Sequence, residues 1–203
     1  MSTENSNISD EELMLRLQGG AESALAPLMQ KWEQPIKGFI FRLVGNTADS
    51  DDLAQEVFVR VFQKRATFRA GSRFSSWILK IAANQAKNRL RWWKRRPTLS
   101  LNEWLAQGED TEDINSSRTA QFDQAEAEGR IEAVQIAIAK LSIDERTAIV
   151  LFEYEDKSMA EIGAILDCTP KAVENRLYRA RKSLARLLLS EGKLKGSAST
   201  ESS

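Results

Sequence analysis

The side chains best equipped for chemistry lie near the C-terminus, where Lys171, Glu174, Asn175, Tyr178, Arg179 and Lys182 share one short segment. An amide pairs with a base edge, a guanidinium spans two acceptors, and ammonium groups neutralise phosphates. Such a set is useful only if it faces one way. The same segment carries Val173, Leu177, Ala180, Leu184 and Leu187 at alternating spacings of four and three, the rhythm of a helix that buries one stripe and turns the rest outward. Thr169 followed by Pro170 is a start signal for that helix. A shorter helix, Met159 to Leu166, precedes it and offers Ile162, Ile165 and Leu166 to a core. The pattern predicts a helix-turn-helix whose second helix is shaped for a major groove. The plainer alternative is an amphipathic hairpin with solvated arginines; the turn length, the small residues Gly163 and Ala164 and the cationic face favour nucleic acid. Glu174 either accepts a hydrogen bond from a cytosine amino group or restrains Arg181 or Tyr178. Cys168, in the turn, reads as a small semi-buried residue.

A second polyanion-facing surface is written in the charge pattern. The chain has 203 residues with 29 basic and 29 acidic side chains, but the signs are segregated. From Phe68 to Arg96 there is no acid, while Arg69, Arg73, Lys80, Lys87, Arg89, Arg91, Lys94, Arg95 and Arg96 are basic. From Leu101 to Glu128 the balance reverses, with Arg118 alone against Glu103, Glu109, Asp110, Glu112, Asp113, Asp123, Glu126 and Glu128. Two basic blocks separated by an acidic one predict two surfaces that meet polyanions.

Other chemistries lack their residues. Without histidine the chain has neither the usual proton shuttle nor the commonest metal ligand, and one cysteine builds neither a disulfide nor a thiolate zinc cluster. No glycine-rich phosphate loop is present. The expectation is a protein that is not an enzyme, with no catalytic residue, metal or cofactor. No apolar run approaches the roughly 20 residues that span a bilayer, and the start, MSTENSNISDEE, is unlike a signal peptide. A cytoplasmic location without membrane insertion is expected.

The elements that must hold these surfaces are helical throughout. Ser9 with Glu12 forms a capping box before Leu13, Met14 and Leu17, and Gly19-Gly20 stops that helix. A segment from Ala21 carries Leu25, Leu28, Met29 and Trp32 but contains Pro27, which removes a donor and predicts a bend. A separate segment, Ile36 to Val44, ends at Gly45-Asn46. Asp49 to Asp52 place negative charge at the start of the next helix, whose stripe is Leu53, Val57, Val61 and Phe62, with Gln55, Glu56 and Arg60 off it. A loop through Gly71 leads to a helix from about Arg73 to Lys94, burying Trp77, Ile78 and Ile81 and ended by Pro97. Helix returns near Gln124, with Ile131, Val134, Ile138 and Leu141 in register, and Ser142/Glu145 and Ser158/Glu161 form further capping boxes. The fold class is all-α: two helical domains joined by an acidic linker, the C-terminal one a helix-turn-helix. The boundaries are 1–97, a flexible linker 98–125, 126–190 and a disordered tail 191–203. An acidic surface subdomain around Leu101, Trp104 and Leu105 is the alternative for the linker.

With those residues in view, the chain resembles the extracytoplasmic-function sigma factors over nearly its whole length. DDLAQEVFVRVF resembles the family's core-polymerase-binding helix, and FRAGSRFSSWILKIAANQAKNRLRWWKRR its promoter-melting, minus-10-reading segment. LSIDERTAIVLFEYEDKSMAEIGAILDCTPKAVENRLYRARKSL resembles its minus-35-reading domain. The resemblance implies a transcription initiation factor with sigma region 2 at 1–97 and region 4 at 126–190. It assigns Asp52, Gln55 and Glu56 to the clamp helices of core RNA polymerase. It assigns Phe68 and Arg69, with their loop, and Asn84, Lys87, Asn88 and Arg91 to the minus-10 strand, where a base leaving the stack is received by a pocket and nearby cations hold the backbone. It assigns Lys171, Glu174, Asn175, Tyr178, Arg179 and Lys182 to minus-35 DNA. Trp92 and Trp93 either stack on bases or pack against the linker. The implied partners are core RNA polymerase, promoter DNA and an anti-sigma factor, with the free chain a monomer. Two rivals stand beside this reading: a free-standing helix-turn-helix regulator, and a sigma-mimic interaction protein that never initiates transcription.

Overall fold

The computed structural model describes residues 8–95 and 133–190, and every regular element among them is a helix. The expected linker 98–125, the helix onset near Gln124, the stop at Pro97 and the tail 191–203 lie outside the described residues.

The N-terminal half is built from four helices: α1 (Asp10–Gln18), α2 (Leu25–Val44), α3 (Thr47–Lys64) and α4 (Phe74–Lys94). Helix α1 starts where its cap predicts, with Ser9 Oγ accepting the Glu12 backbone N–H at 3.2 Å. Residues 25–44 depart from expectation, forming one helix in place of two segments. Pro27 falls in its first turn, where a missing N–H has no helical acceptor to lose. Pro35 is the interior proline. Its ring is exposed, so the carbonyl it leaves unpaired is open to water, while Leu28, Ile36, Phe39, Ile40 and Leu43 keep the helix continuous by burial on the other side. Gly45, in the left-handed conformation (φ 79°), turns the chain into α3, where the Asn46 side chain accepts from the Asp49 N–H at 2.9 Å.

The apolar faces of α1 and α2 close on Leu53, Val57 and Val61 of α3 and Phe74, Ile78, Leu79 and Ala82 of α4. At one end Phe68, Phe74 and Trp77 meet edge-on or tilted, with centroids 5.5 to 6.2 Å apart. Three long-range hydrogen bonds, made by two side chains of α1, fix the loop that enters α4. The Arg73 side chain does not cap α4; Glu11 Oε1 does so instead, accepting the Phe74 N–H at 2.9 Å. Gln18 Nε2 donates to the carbonyls of Arg65 and Phe68 at 2.6 and 2.7 Å.

The C-terminal half comprises α5 (133–139), α6 (Ile143–Glu153), α7 (Met159–Leu166) and α8 (Pro170–Ser190). Both predicted caps form at Ser142 and Ser158, the second as a full capping box with Glu161. The turn between α7 and α8 is so tight that a Cβ on Gly163 would lie 2.7 Å from the Cys168 carbonyl oxygen. Thr169 Oγ1 caps α8 by accepting from Ala172 N–H at 3.2 Å.

The halves pack together, α2 on α6 and α4 on α7, and their buried apolar side chains form one continuous cluster. Arg146 of α6 crosses the seam. Its guanidinium donates to the carbonyl of Leu43 in the last turn of α2 at 2.6 Å, and to those of Ala139 and Leu141 in its own half. A cation is favourable beside helix C-terminal carbonyls. Burial pushes its pKa down to about 10, so it stays charged at neutral pH.

Candidate polymerase and nucleic-acid interfaces

Three surfaces collect the expected site residues. The first is the outer face of α3. With Leu53, Ala54, Val57 and Phe58 turned inward, Asp52, Gln55, Glu56 and Val59 are all exposed at helical spacing. Val59, 55 % exposed, puts an apolar spot among polar groups and escaped the sequence reading, which assigned apolar residues to the core. Asp52 and Gln55 have no ion pair or hydrogen bond among the described residues. Glu56 leans towards α4, accepting from Gln85 Nε2 at 2.8 Å. Behind it Asp49 pairs with Arg89 at 2.6 Å; burial raises the Asp49 carboxyl pKa against the pull of that arginine.

The second surface is a cleft of about 610 Å³ between the C-terminal end of α3, the loop before α4, and α4 itself. Its lining carries Arg60, Lys64, Arg69 and Lys80 as cations, Asn84, Gln85 and Asn88 as amides, and Thr67, Ser72 and Trp77, with no carboxylate among them. Amides that donate and accept, an aromatic wall and a cationic rim suit an unpaired nucleic-acid strand.

The third is the outward face of α8. Asn175, Tyr178 and Lys182 are exposed, Tyr178 by 66 %. A hollow of about 500 Å³ between Met159 and this face is lined by Glu174, Leu177, Tyr178, Arg181 and Lys182. Carboxylates of the same domain hold its cations: Arg179 on Glu145 at 3.0 Å, Arg181 on Glu153 at 2.8 Å and Lys171 on Glu174 at 2.8 Å. Glu174 thus engages Lys171, neither of the partners expected for it.

Family comparison places the two halves. Residues 28–96 match the model for Sigma-70 region 2, and residues 131–184 match that for Sigma-70, region 4. The RNA polymerase sigma-H factor of Pseudomonas aeruginosa is 33% identical over 88% of this chain and 93% of its own length. The ECF RNA polymerase sigma-E factor of Haemophilus influenzae is 31% identical, over 87% of this chain and 94% of its own length. The chain belongs to the extracytoplasmic-function sigma factors. Two solved structures have the same fold. CnrH, solved with the cytosolic domain of CnrY, gives a TM-score of 0.64 at 23% identity, covering 90% of this chain and 98% of that one. RpoE of Bartonella quintana, solved with the anti-sigma factor NepR, gives 0.59 at 24% identity, covering 81% and 96%.

As a sigma factor, the chain directs RNA polymerase in transcription initiation, and two of the residues expected at the minus-10 strand are covered in this arrangement of the halves. Phe68 is buried, 4 % exposed, with its ring edge-on to Trp77. It anchors the loop, and Thr67, Arg69 and Ser72 are what the loop shows the cleft. Lys87 is also buried, 8 % exposed, because its ammonium is bound to Asp144 of the other half at 2.9 Å. Asn84, Asn88 and Arg91 are exposed as expected. Arg60, Lys64, Lys80 and Gln85 join them, unassigned from the sequence; the signal for Arg60 and Lys64 was their i, i+4 spacing off the α3 stripe. The sigma factor's described residues include no helix long and apolar enough to cross a membrane.

Proposed function

We propose that this sigma factor divides its work among the three faces. Asp52, Gln55, Glu56 and Val59 dock on core RNA polymerase. The cleft takes a strand of the opened minus-10 region, with Arg60, Lys64, Arg69 and Arg91 on phosphates and Asn84 and Asn88 on base edges. Asn175, Tyr178, Arg179 and Lys182 contact the minus-35 duplex, with Lys171 on phosphate and Glu174 setting the position of Lys171. The observation that carries the reading is the carboxylate-free lining of the cleft, in a chain whose acids and bases are equal in number. Surfaces that are solvated for solubility mix the two signs; one sign together with amides and an indole is a binding surface.

Further parts of the proposal concern partners and place. The chain works in the cytoplasm as a monomer when free, and an anti-sigma factor restrains it; the likeness to an RpoE solved with its anti-sigma factor supports that partner. Because the binding free energy is shared among modules, the isolated chain binds duplex DNA weakly and with steep salt dependence.

Run-off transcription with purified core polymerase tests the reading. A transcript with a defined start, dependent on this chain and lost in Asp52→Ala/Glu56→Ala, is the expected result. A chain that binds promoter DNA tightly by itself but yields no transcript with core would overturn it.

A further inference from the structure

Arg73, Lys80 and Lys87 are seven residues apart along α4 and its N-cap. Two helical turns, about 10.5 Å of rise, separate each from the next, so all three share one face. Each meets a carboxylate of the C-terminal half: Arg73 with Glu161 at 3.2 Å, Lys80 with Asp167 at 2.5 Å and Lys87 with Asp144 at 2.9 Å. The acids come from three places: the first turn of α6, the first turn of α7 and the residue that ends α7. A match at every step of a repeat is a register between two surfaces.

Asp167 makes the case specific. It ends α7 in the left-handed conformation, φ 51°, where glycine or asparagine is at ease. Its carboxylate also lies at the negative pole of its own helix. Judged by its domain alone, an acid is a poor choice there; Lys80, from the other half, makes it favourable. Lys80 lines the strand cleft as well, so Asp167 and a phosphate compete for one ammonium. Asp144, for its part, is held below the ordinary carboxylate range chiefly by the hydrogen bond from Lys87.

We propose that these pairs are a latch carried by the sigma factor itself. In the free chain the C-terminal carboxylates occupy cations of α4 that polymerase-bound promoter DNA later claims, and opening exchanges carboxylate for phosphate. Closure stands independently of the promoter assignment; the statement that it brakes initiation rests on the reading above.

The test uses the full chain with spin labels at Leu15→Cys and Ala185→Cys in a Cys168→Ser background, read by pulsed electron paramagnetic resonance. The parent gives one narrow distance. Asp144→Asn/Glu161→Gln/Asp167→Asn, which keeps side chains able to cap, gives a broad, longer distribution with its helical content intact. Lys80→Asp alone broadens the distribution towards longer distances and Lys80→Asp/Asp167→Lys narrows it again, which separates a lost latch from a lost fold. A narrow distance that persists in the neutralised variant, or an exchange that fails to restore it, overturns the latch. In run-off assays the neutralised variant reaches half-saturation at about three- to tenfold lower core polymerase, because more of the chain is competent to bind. An unchanged half-saturation point overturns the brake. If parent and variant both fail to yield a transcript while the distances behave as expected, the promoter assignment falls and the latch stands.

Discussion

The two cationic surfaces of this sigma factor are built from the same residue types and differ in where their carboxylate partners reside. On α8, Arg179 and Arg181 lean on Glu145 and Glu153 of their own domain, so the pairs travel with the helix, and Asn175 and Tyr178 stay open whatever the other half does. On α4, Arg73, Lys80 and Lys87 lean on the neighbouring domain, so their availability depends on how the halves are arranged. On the proposed reading, intradomain pairs orient the face of α8 that meets duplex DNA, and interdomain pairs make the strand-binding face of α4 conditional.

The comparison is broken most severely at the cleft. Arg60→Ala/Lys64→Ala/Arg69→Ala removes three cations that no carboxylate balances, and open-complex formation, read by permanganate reactivity of unpaired thymines, falls roughly hundredfold with the melting temperature nearly unchanged. On α8 the effect is smaller and depends on the template. Tyr178→Ala lowers initiation about tenfold on a promoter with an upstream duplex element and leaves a template truncated upstream unaffected. Gly163→Ala tests whether that face owes its direction to the tight turn. The added methyl must push a backbone oxygen away, costing about 1–3 kcal/mol by calorimetry, and minus-35 binding declines with it.

The smallest effect sharpens the electrostatics of the seam. Glu155 has its pKa raised, mainly by burial. The folded state therefore binds its proton more readily than the unfolded state, and its contribution to stability falls as pH rises through the ordinary carboxylate range towards the raised value. Glu155→Gln gives a slightly higher melting temperature at pH 7, and the difference disappears at pH well below 4.5, where both side chains are neutral. Asp144 has the opposite sign: its contribution is in place above the ordinary value and is lost only as acid titrates it below that value. The labelled distance is accordingly unchanged between pH 7 and pH 5.

What could be read from the sequence was local. Caps at Ser9, Ser142 and Ser158, the stripes of α3 and α8 and the exposed set Asp52, Gln55 and Glu56 depend on residues three or four apart, and each appears where periodicity predicts. Where the structure departs from local expectation, the causes are tertiary. Residues 25–44 read as two segments because prolines are local breakers, whereas continuity there comes from Ile36, Phe39 and Ile40 packing on distant helices. Phe68 read as a loop aromatic free to meet a base, until Phe74 and Trp77 of the next helix supplied an interior for it. Lys87 read as one more cation in an acid-free block, since its carboxylate partner lies in another domain and leaves no trace in that block. Val59 was invisible for the reverse reason: a valine on a helix is assigned to a core by default.

The contacts from Glu11 and Gln18 bear on how much of the chain the cleft needs. Both residues lie before residue 28, where the match to region 2 begins, yet one closes the first turn of α4 and the other ties down two carbonyls of the approach to it. A chain that began at Leu25 would retain every side chain lining the cleft and lose the brace that gives it shape. Because Leu13, Met14 and Leu17 of the same helix are buried in the core, losing the segment before Gly19-Gly20 would cost this half part of its interior as well as the brace, and on the proposed reading promoter opening would fail with it.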